Sequence, residues 1–467
     1  MKQIKTSVYK LIFEQFSVSG DDITDETGPG DLPKWDSIGQ LRLILSLEEE
    51  FGIQLSVDDI MKINSIKDIV KVIGKYKSGV SELSKGQKPV PSTDFHPVRV
   101  PATTYWGHGS LSVIGNIVHG RVAFITGLSG YAKDMGKRVS KMLPEHIGFK
   151  VFQRQGREPY HNNIITLSEE LQSFLPEHIV AIGGGSTIDM AKLTWLLYEK
   201  PGFELDKVNL YKDLKLRDKA IFTAVPTTFG SGSEVSSAAA FSEPNKTGKC
   251  IVVSHEFLPD QLILDPSLGQ SASLSTIYAS AFDALTHAIE GYVSIVNHPL
   301  LASSAIMAIK NILAVLGKIK SSGVTQDVLE TLCYAAYNAG IVQNHCSVGL
   351  THSLAHQMGG FGIGHGVANS LFLVPVINCN AAKTDIYTKL MSEMGFSTLN
   401  DFIDNVNRLL SEAKLYPDKG VIDDIVSNKS LIVEGAMDDI TFRTNPAVLD
   451  KSAVELVFDQ AINNLPS

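Results

Sequence analysis

The chain has 467 residues, room for two to four ordinary domains. Apolar residues make up 44% and charged residues 19%, with 38 Gly and 19 Pro, which excludes a fibrous, collagen-like or largely disordered protein. The formal net charge of -9, without a dense Lys/Arg run, argues against nucleic acid as the main partner.

Met1 to Phe16 reads as an amphipathic helix carrying Lys2, Lys5, Lys10 and Glu14, with Val8, Leu11, Ile12 and Phe16 on one stripe. It lacks the apolar core of a signal peptide. No run approaches the roughly 18 apolar residues of a membrane helix. Cys250, Cys333, Cys346 and Cys379 are scattered and form no CxxC pair, so neither a disulfide framework nor a thiolate metal site is expected. The expectation is a soluble, cytoplasmic chain without a membrane partner.

A polar loop from Ser19 to Lys34 leads to Trp35-Asp36-Ser37 and a second amphipathic helix with Ile38, Leu41, Ile44 and Leu45 on its stripe. A short segment near Val57–Lys62 and a helix from Ile66 to Tyr76 complete an all-helical module over residues 1–76. Asp36 or Ser37 suits a helix N-cap in its own right. Residues 77–96 lack periodicity and carry Gly, Ser, Lys and Pro, the composition of a flexible linker. Such a linker of about 20 residues reaches on the order of 25 Å.

Val122–Thr126, His178–Ile182 and Phe222–Pro226 are short apolar runs separated by helical stretches, the alternation of a parallel α/β sheet. Beyond about Leu274 the strand signals vanish and helical patterns continue to the C-terminus. Two further domains are therefore expected, an α/β dinucleotide-binding domain over 97–273 and an all-α metal-binding domain over 274–467. Gly183-Gly184-Gly185-Ser186 follows a strand and opens a helix, where backbone N–H groups and the helix dipole favour a pyrophosphate. Thr227, Thr228 and Ser233 place hydroxyls after the next strand. GxGxxG is absent, so this is not an ordinary Rossmann fingerprint.

Asp283 and His287 lie four residues apart on one helix face. His352, His356 and His365 fall within 14 residues, in a chain with only 13 histidines. Three imidazoles and a carboxylate suit Zn²⁺ or Fe²⁺ with room for a substrate oxygen. His255, His298 and His345 have no such company and read as structural or surface residues.

The N-terminal module resembles an acyl carrier protein, through Asp36-Ser37-Ile38 and Leu47-Glu48-Glu49-Glu50-Phe51-Gly52-Ile53. The resemblance implies a four-helix carrier bundle, a 4'-phosphopantetheine arm on Ser37, and a phosphopantetheinyl transferase and acyl-loading enzymes as partners. Ile38 for the usual leucine is its one departure. From about Val98 to Ile462 the chain resembles the iron-containing (group III) alcohol dehydrogenases. GGGSxxDxAK stands at Gly183 to Lys192, PTTxGxGSE at Pro226 to Glu234 with Ser231 for Thr, and DALTHAIE at Asp283 to Glu290. HxxAHxxG stands at His352 to Gly359, HGxAN at His365 to Asn369, and a late Asn445-Pro446 completes the set.

This second resemblance implies metal ligation by Asp283, His287, His352 and His365, with His356 as a catalytic non-ligand histidine. It also implies Gly183, Gly184, Gly185 and Ser186 on the pyrophosphate, with Thr227, Thr228 and Ser233 along the cofactor. A homo-oligomer follows from the same likeness. Gly364 stands where the family has proline, and the turn from His356 to His365 is about one residue short, which alters the substrate pocket. Thr126-Gly127-Leu128-Ser129 lacks the acidic residue many members carry there, leaving NADP(H) open beside NAD(H). Fusion to a carrier suggests an alcohol or carbonyl on a tethered acyl group. The alternatives are a free small alcohol or aldehyde, or a carrier scaffold with an inactive dehydrogenase half. Activities like those of 3-dehydroquinate synthase or glycerol dehydrogenase are more distant, and DALTHAIE favours the alcohol dehydrogenase branch.

Overall fold

The structure is a computed structural model. It describes residues 2–16, 63–77, 97–128, 130–156, 158–205, 214–243 and 248–465 continuously, together with residue 208 and individual positions between 18 and 59. Asp36, Ser37, Ile38 and, of the expected linker over 77–96, residues 78–96 lie outside the described residues. The chain divides into two compact units. One comprises Met1–Val98 with Phe203–Leu214 and Val252–Ser254, and the other comprises Arg99–Gly202, Lys215–Ile251 and His255–Ser467.

In the first unit, helix α1 (Lys2–Phe16) buries Val8, Ile12 and Phe16 of the expected stripe and leaves Leu11 half-buried. Phe16 stacks on the buried Trp35 ring at 5.0 Å, and Ile44, Leu47 and Phe51 join the same core. Helix α2 (Ile66–Lys77) adds Ile66, Ile69, Val70 and Ile73. Its start is fixed by Ser65, whose hydroxyl accepts from Asp68 N at 3.3 Å and donates to the Asp68 carboxylate at 3.0 Å. At the far end, buried Asp59 accepts from Tyr76 at 2.8 Å and from Lys75 at 3.2 Å.

The second unit contains strands β1 (Thr103–Trp106), β2 (Val122–Thr126), β3 (Phe149–Gln153), β4 (His178–Gly183), β5 (Ile221–Pro226) and β6 (Gln261–Leu264). They form one six-stranded sheet in the order β1-β6-β5-β4-β2-β3, and every neighbouring pair is parallel. β2 and β4 are buried throughout, because crossover helices cover both faces of a parallel sheet, and this is why they read as unbroken apolar runs. Three crossover helices are α3 (Gly130–Ser140), α4 (His161–Phe174) and α5 (Gly185–Glu199). Thr126 pairs with Ile182 and Gly183 with Pro226, so the carboxyl ends of β2, β4 and β5 stand side by side. β3 lies beyond β2 while the chain returns to β4 on the other side, a topological switch point where α/β sheets bind ligands.

After Leu264 the described residues contain no strand. Helices α6 (Leu274–Val293), α7 (Ala302–Ser322), α8 (Gln326–Cys346), α9 (Leu350–Gln357) and α10 (His365–Ala381) come first. Shorter helices continue to Asn463. Contrary to the sequence expectation, one segment, Pro299–Ser322, is long and apolar enough to span a membrane, with a mean hydropathy of 1.8. It packs against α6 and α8 and buries Ala305, Ile309, Ile312, Leu316 and Ile319 at helical spacing, while Lys310 and Lys318 stay exposed. Its apolar character is that of a core helix.

His178, the first residue of β4, is fully buried, with Nε2 at 2.7 Å from Thr223 Oγ1. Burial, reinforced by nearby His119, pushes its pKa down from 6.5 to about 3. The fold thus holds the neutral ring. Its stabilisation is intact above pH 6.5 and is lost as the pH falls from there toward about 3. At pH 5 this one group should cost about 2 kcal/mol relative to pH 7. Urea denaturation at both pH values checks it: the pH-dependent loss should shrink by about that amount in His178→Gln. An unchanged loss would assign the acid sensitivity elsewhere.

Candidate active site

Helix α6 starts on a Ser273 cap whose hydroxyl accepts from Thr276 N at 3.1 Å. Asp283, His287 and Glu290 recur along it at spacings of four and three, so one buried face carries all three. His352 lies on α9, and His365 is the first residue of α10. Asp283, His287, His352 and His365 each offer one donor atom, and these atoms all lie within 4.8 Å of one another. The Nε2 atoms of His287 and His352 are 3.9 Å from Asp283 Oδ1, and that of His365 is 3.7 Å away. Ligands about 2.1 Å from one ion sit roughly 3.4 Å apart in a tetrahedral site, so the set is close to the spacing a single divalent ion requires.

The outer nitrogens explain why the inner ones converge. His287 Nδ1 donates to the Gly230 carbonyl at 3.2 Å, and His352 Nδ1 donates to Glu290 Oε2 at 2.7 Å. Each leaves an Nε2 lone pair facing the cluster, the arrangement by which outer-shell partners orient metal-binding histidines. Burial, together with the neighbouring imidazoles, holds His352 and His365 well below the usual histidine range. Both are therefore neutral, as ligands must be. His365 Nδ1 is buried without a partner among the described residues. Asn369, one turn along α10, donates to Asp283 Oδ1 at 2.7 Å. The donor set and its neutral imidazoles fit Fe²⁺ or Zn²⁺.

Glu290 is the hub of this arrangement. Its carboxylate accepts from Gly349 N at 2.8 Å, Thr351 N at 2.7 Å and His352 N at 3.4 Å, besides the His352 ring. Helix α9 has no side-chain cap of its own, and Glu290 takes that role from α6. Burial pushes the Glu290 pKa up, against the pull of these donors. Gly366 lets α10 close on α6, since a Cβ there would stand 2.2 Å from the Ala279 carbonyl oxygen.

His356 stands apart from the ligand cluster but beside it, its ring stacked on that of His365 at 5.4 Å and edge-on to that of His352 at 6.2 Å. Its Nδ1 donates to Asp439 Oδ2 at 2.8 Å. Burial alone would raise Asp439, but His356 and the hydrogen bonds from Thr441 outweigh it and hold the carboxyl below its usual range. Asp439, Glu290 and Asn369 carried no assigned role in the sequence reading. Glu290 and Asn369 are legible in hindsight from their positions one or two turns from ligand residues. Asp439, 83 residues from His356, leaves no such trace.

At the carboxyl end of β4, Gly184 caps α5 without any side-chain hydrogen bond. The first N–H groups of that helix are therefore left for an anion. Gly184, Gly185, Ser186, Thr227 and Thr228 are half-buried. The glycines also serve the protein's own packing: a Cβ on Gly183 would meet Thr187 at 2.6 Å, and one on Gly185 would meet Ser231 at 2.5 Å. Thr227 N donates to Gly183 O at 3.0 Å, joining the two loops. A small open pocket lies beside Thr227 and Thr228, with Phe229, Thr276, Ser280 and Leu329 on its walls.

Ser233 is buried, and its hydroxyl donates to Asp189. Beneath it, Lys192 Nζ donates to the carbonyls of Ser233 at 2.6 Å, Ser236 at 2.7 Å and Ala238 at 2.9 Å. Burial lowers this lysine to about 8 and raises neighbouring Glu234 to about 7. The Asp189 and Lys192 positions of the GGGSxxDxAK motif thus hold the second loop in place.

Removing the Glu290 charge while keeping its shape tests this geometry. Glu290→Gln should bind Fe²⁺ or Zn²⁺ 10- to 100-fold more weakly, as read by chelator competition and metal content after dialysis. An affinity equal to that of the parent would mean Glu290 does not orient His352.

Residues 101–266 match the iron-containing alcohol dehydrogenase family, residues 277–462 match the C-terminal part of the same family, and residues 34–73 match a phosphopantetheine attachment site. The NADPH-dependent butanol dehydrogenase of Clostridium saccharobutylicum is 29% identical over 377 residues, which is 77% of this chain and 96% of the relative. The NAD-dependent methanol dehydrogenase of Bacillus methanolicus is 27% identical, over 78% of this chain and 99% of the relative. Among solved structures, the iron-containing alcohol dehydrogenase of Thermococcus thioreducens superposes with a TM-score of 0.69 at 26% identity, covering 79% of this chain and all of that one. A 1,3-propanediol oxidoreductase gives 0.71 at 25% identity, again over 79% of this chain and all of the other. From Pro101 to Ile462 the chain belongs to the iron-containing alcohol dehydrogenase family, nicotinamide-dependent oxidoreductases, and it bears a phosphopantetheine-attachment domain ahead of that enzyme.

Proposed function

We propose that the chain interconverts an alcohol and a carbonyl on an acyl group carried as a thioester on the phosphopantetheine arm of Ser37. The observation that carries this reading is the coexistence, in one chain, of the attachment-site match over residues 34–73 and the buried cluster Asp283, His287, His352 and His365. In this reading residues 1–76 form a four-helix carrier bundle and 77–96 its linker. Residues 97–273 bind the cofactor and 274–467 hold the metal.

Asp283, His287, His352 and His365 hold the iron. Gly183, Gly184, Gly185 and Ser186 hold the pyrophosphate, while Thr227 and Thr228 line the path of the cofactor, and Ser233 supports it through its bond to Asp189. When bound, iron supplies a Lewis acid for the substrate oxygen and the nicotinamide exchanges hydride with the adjacent carbon. The chain's own work is positioning, exclusion of water and proton movement. Asp283, His287 and His352 are buried, which keeps bulk water from the reacting atoms. His356 gives a proton to the substrate oxygen, or takes one from it, at Nε2. Asp439, bonded to Nδ1, fixes the tautomer and stabilises the imidazolium.

A second reading draws on the names of the relatives, which are dehydrogenases of free butanol and methanol. There the substrate is a small free alcohol or aldehyde, and the carrier serves another step.

One experiment separates the two. The full chain is incubated with coenzyme A and a promiscuous phosphopantetheinyl transferase, and intact-mass spectrometry locates the adduct, which Ser37→Ala should abolish. A 3-oxoacyl group loaded on Ser37 is then compared with the same group on free pantetheine. Delivery in cis should raise turnover at equal bulk concentration roughly 10²-fold, from the effective concentration a short linker provides. Equal turnover of tethered and free substrate would sink the tethered reading and leave the free-alcohol one.

A further inference from the structure

The metal-ligand cluster holds one more polar side chain than its ligand set accounts for. Asn369 is fully buried on α10, four residues after His365. That spacing puts both on one helix face, so the segment that delivers the last imidazole delivers the amide with it. Gly366 lets α10 approach α6 closely, and Asn369 thereby reaches Asp283 across 86 residues.

The amide is aimed at the middle of the cluster and not at one partner. Its Nδ2 lies 2.7 Å from Asp283 Oδ1, 3.2 Å from His352 Nε2 and 3.4 Å from His365 Nε2. These are donor atoms of three of the four assigned ligands. An ion about 2.1 Å from each of them would have this end of Asn369 beside it. An amide NH₂ carries partial positive charge, so it can face lone pairs but not a cation.

The other end of the same amide can. Asn369 Oδ1 is buried and has no hydrogen-bond partner among the described residues. A buried amide oxygen left that way is costly, and ligation would account for it. The last torsion of an asparagine is broad and two-fold, so a half-turn exchanges the two ends without moving the helix. Asparagine carbonyl oxygens are ordinary ligands of hard cations. With Asn369 the protein offers five ligands, and a six-coordinate ion keeps one position for the substrate oxygen. Ferrous ion accepts six ligands, whereas Zn²⁺ favours four.

We propose, resting on the assignment of the metal to Asp283, His287, His352 and His365, that Asn369 is a fifth protein ligand, binding Fe²⁺ through Oδ1 and favouring it over Zn²⁺.

The test uses the full chain, stripped with a chelator and reloaded without oxygen with Fe²⁺ or Zn²⁺. Two substitutions separate an oxygen ligand from a hydrogen-bond donor to Asp283. Asn369→Ala removes both functions and should weaken Fe²⁺ roughly 10- to 100-fold in chelator competition. It should also lower the ratio of Fe²⁺ to Zn²⁺ affinity by about fivefold or more. Asn369→Asp keeps an oxygen but, when ionised, cannot donate, so it should hold Fe²⁺ at least as tightly as the parent. An unchanged affinity ratio in Asn369→Ala, or equal weakening of Fe²⁺ in both variants, would assign Asn369 to positioning Asp283 and overturn the proposal. A measurement on the parent does not depend on either variant folding. A crystal structure of the Fe²⁺-loaded chain should place an Asn369 side-chain atom about 2.2 Å from the ion, and a separation beyond about 3 Å would overturn the proposal. Each of these contrary results leaves the four-ligand assignment standing. Retention of neither Fe²⁺ nor Zn²⁺ by the parent would overturn that assignment and the proposal together.

Discussion

A buried carboxylate organises the metal-binding half of this protein. Glu290 sits inside the helical region, where an isolated charge is costly. It is tolerated because four donors converge on it: three backbone N–H groups at the start of α9 and the ring of His352. The dependence is mutual. Helix α9 is only eight residues long and starts in the interior, so its free N–H groups need partners from elsewhere. Asn445 reinforces the same end, accepting from Leu350 N at 3.3 Å while pairing with Asn380 of α10 through two amide hydrogen bonds. The Asn445-Pro446 motif, far downstream of the histidines, is thus part of the scaffold that orients them.

The cofactor loops and the metal-ligand cluster are physically joined. Gly230 belongs to the loop after β5, yet its carbonyl accepts from His287. The same loop is held from below by Lys192, whose ammonium gathers the carbonyls of Ser233, Ser236 and Ala238. A displacement of that loop is therefore felt at the histidine.

What the sequence makes legible follows burial. β2, β4 and β5 lie in the middle of a sheet covered on both faces, so their apolar runs stand out. β1 and β3 are mostly exposed edge strands containing residues such as Thr103, Lys150 and Gln153, and β6 has only four residues, too short for a periodic signal. The length and apolarity of Pro299–Ser322 do not by themselves separate core from membrane, because a long core helix and a membrane helix share a composition and differ only in what surrounds them. Asp283 and His287 were readable because helical spacing puts them on one face, and His352 and His365 because three histidines crowd into 14 residues. Asp439 was not, because its partnership with His356 exists only in the folded chain.

The span of these contacts has a consequence for how the protein is made. Gly230 reaches His287 across 57 residues, Glu290 reaches His352 across 62, Asp439 reaches His356 across 83, and Asn369 reaches Asp283 across 86. None can form while the nascent chain holds only local structure, and closing such loops is slow. The ligand set is therefore a late product of folding, assembled only when the sheet, the helical layer and the C-terminal segment have all come together. A partly folded or truncated product would therefore offer a metal ion no competent trap.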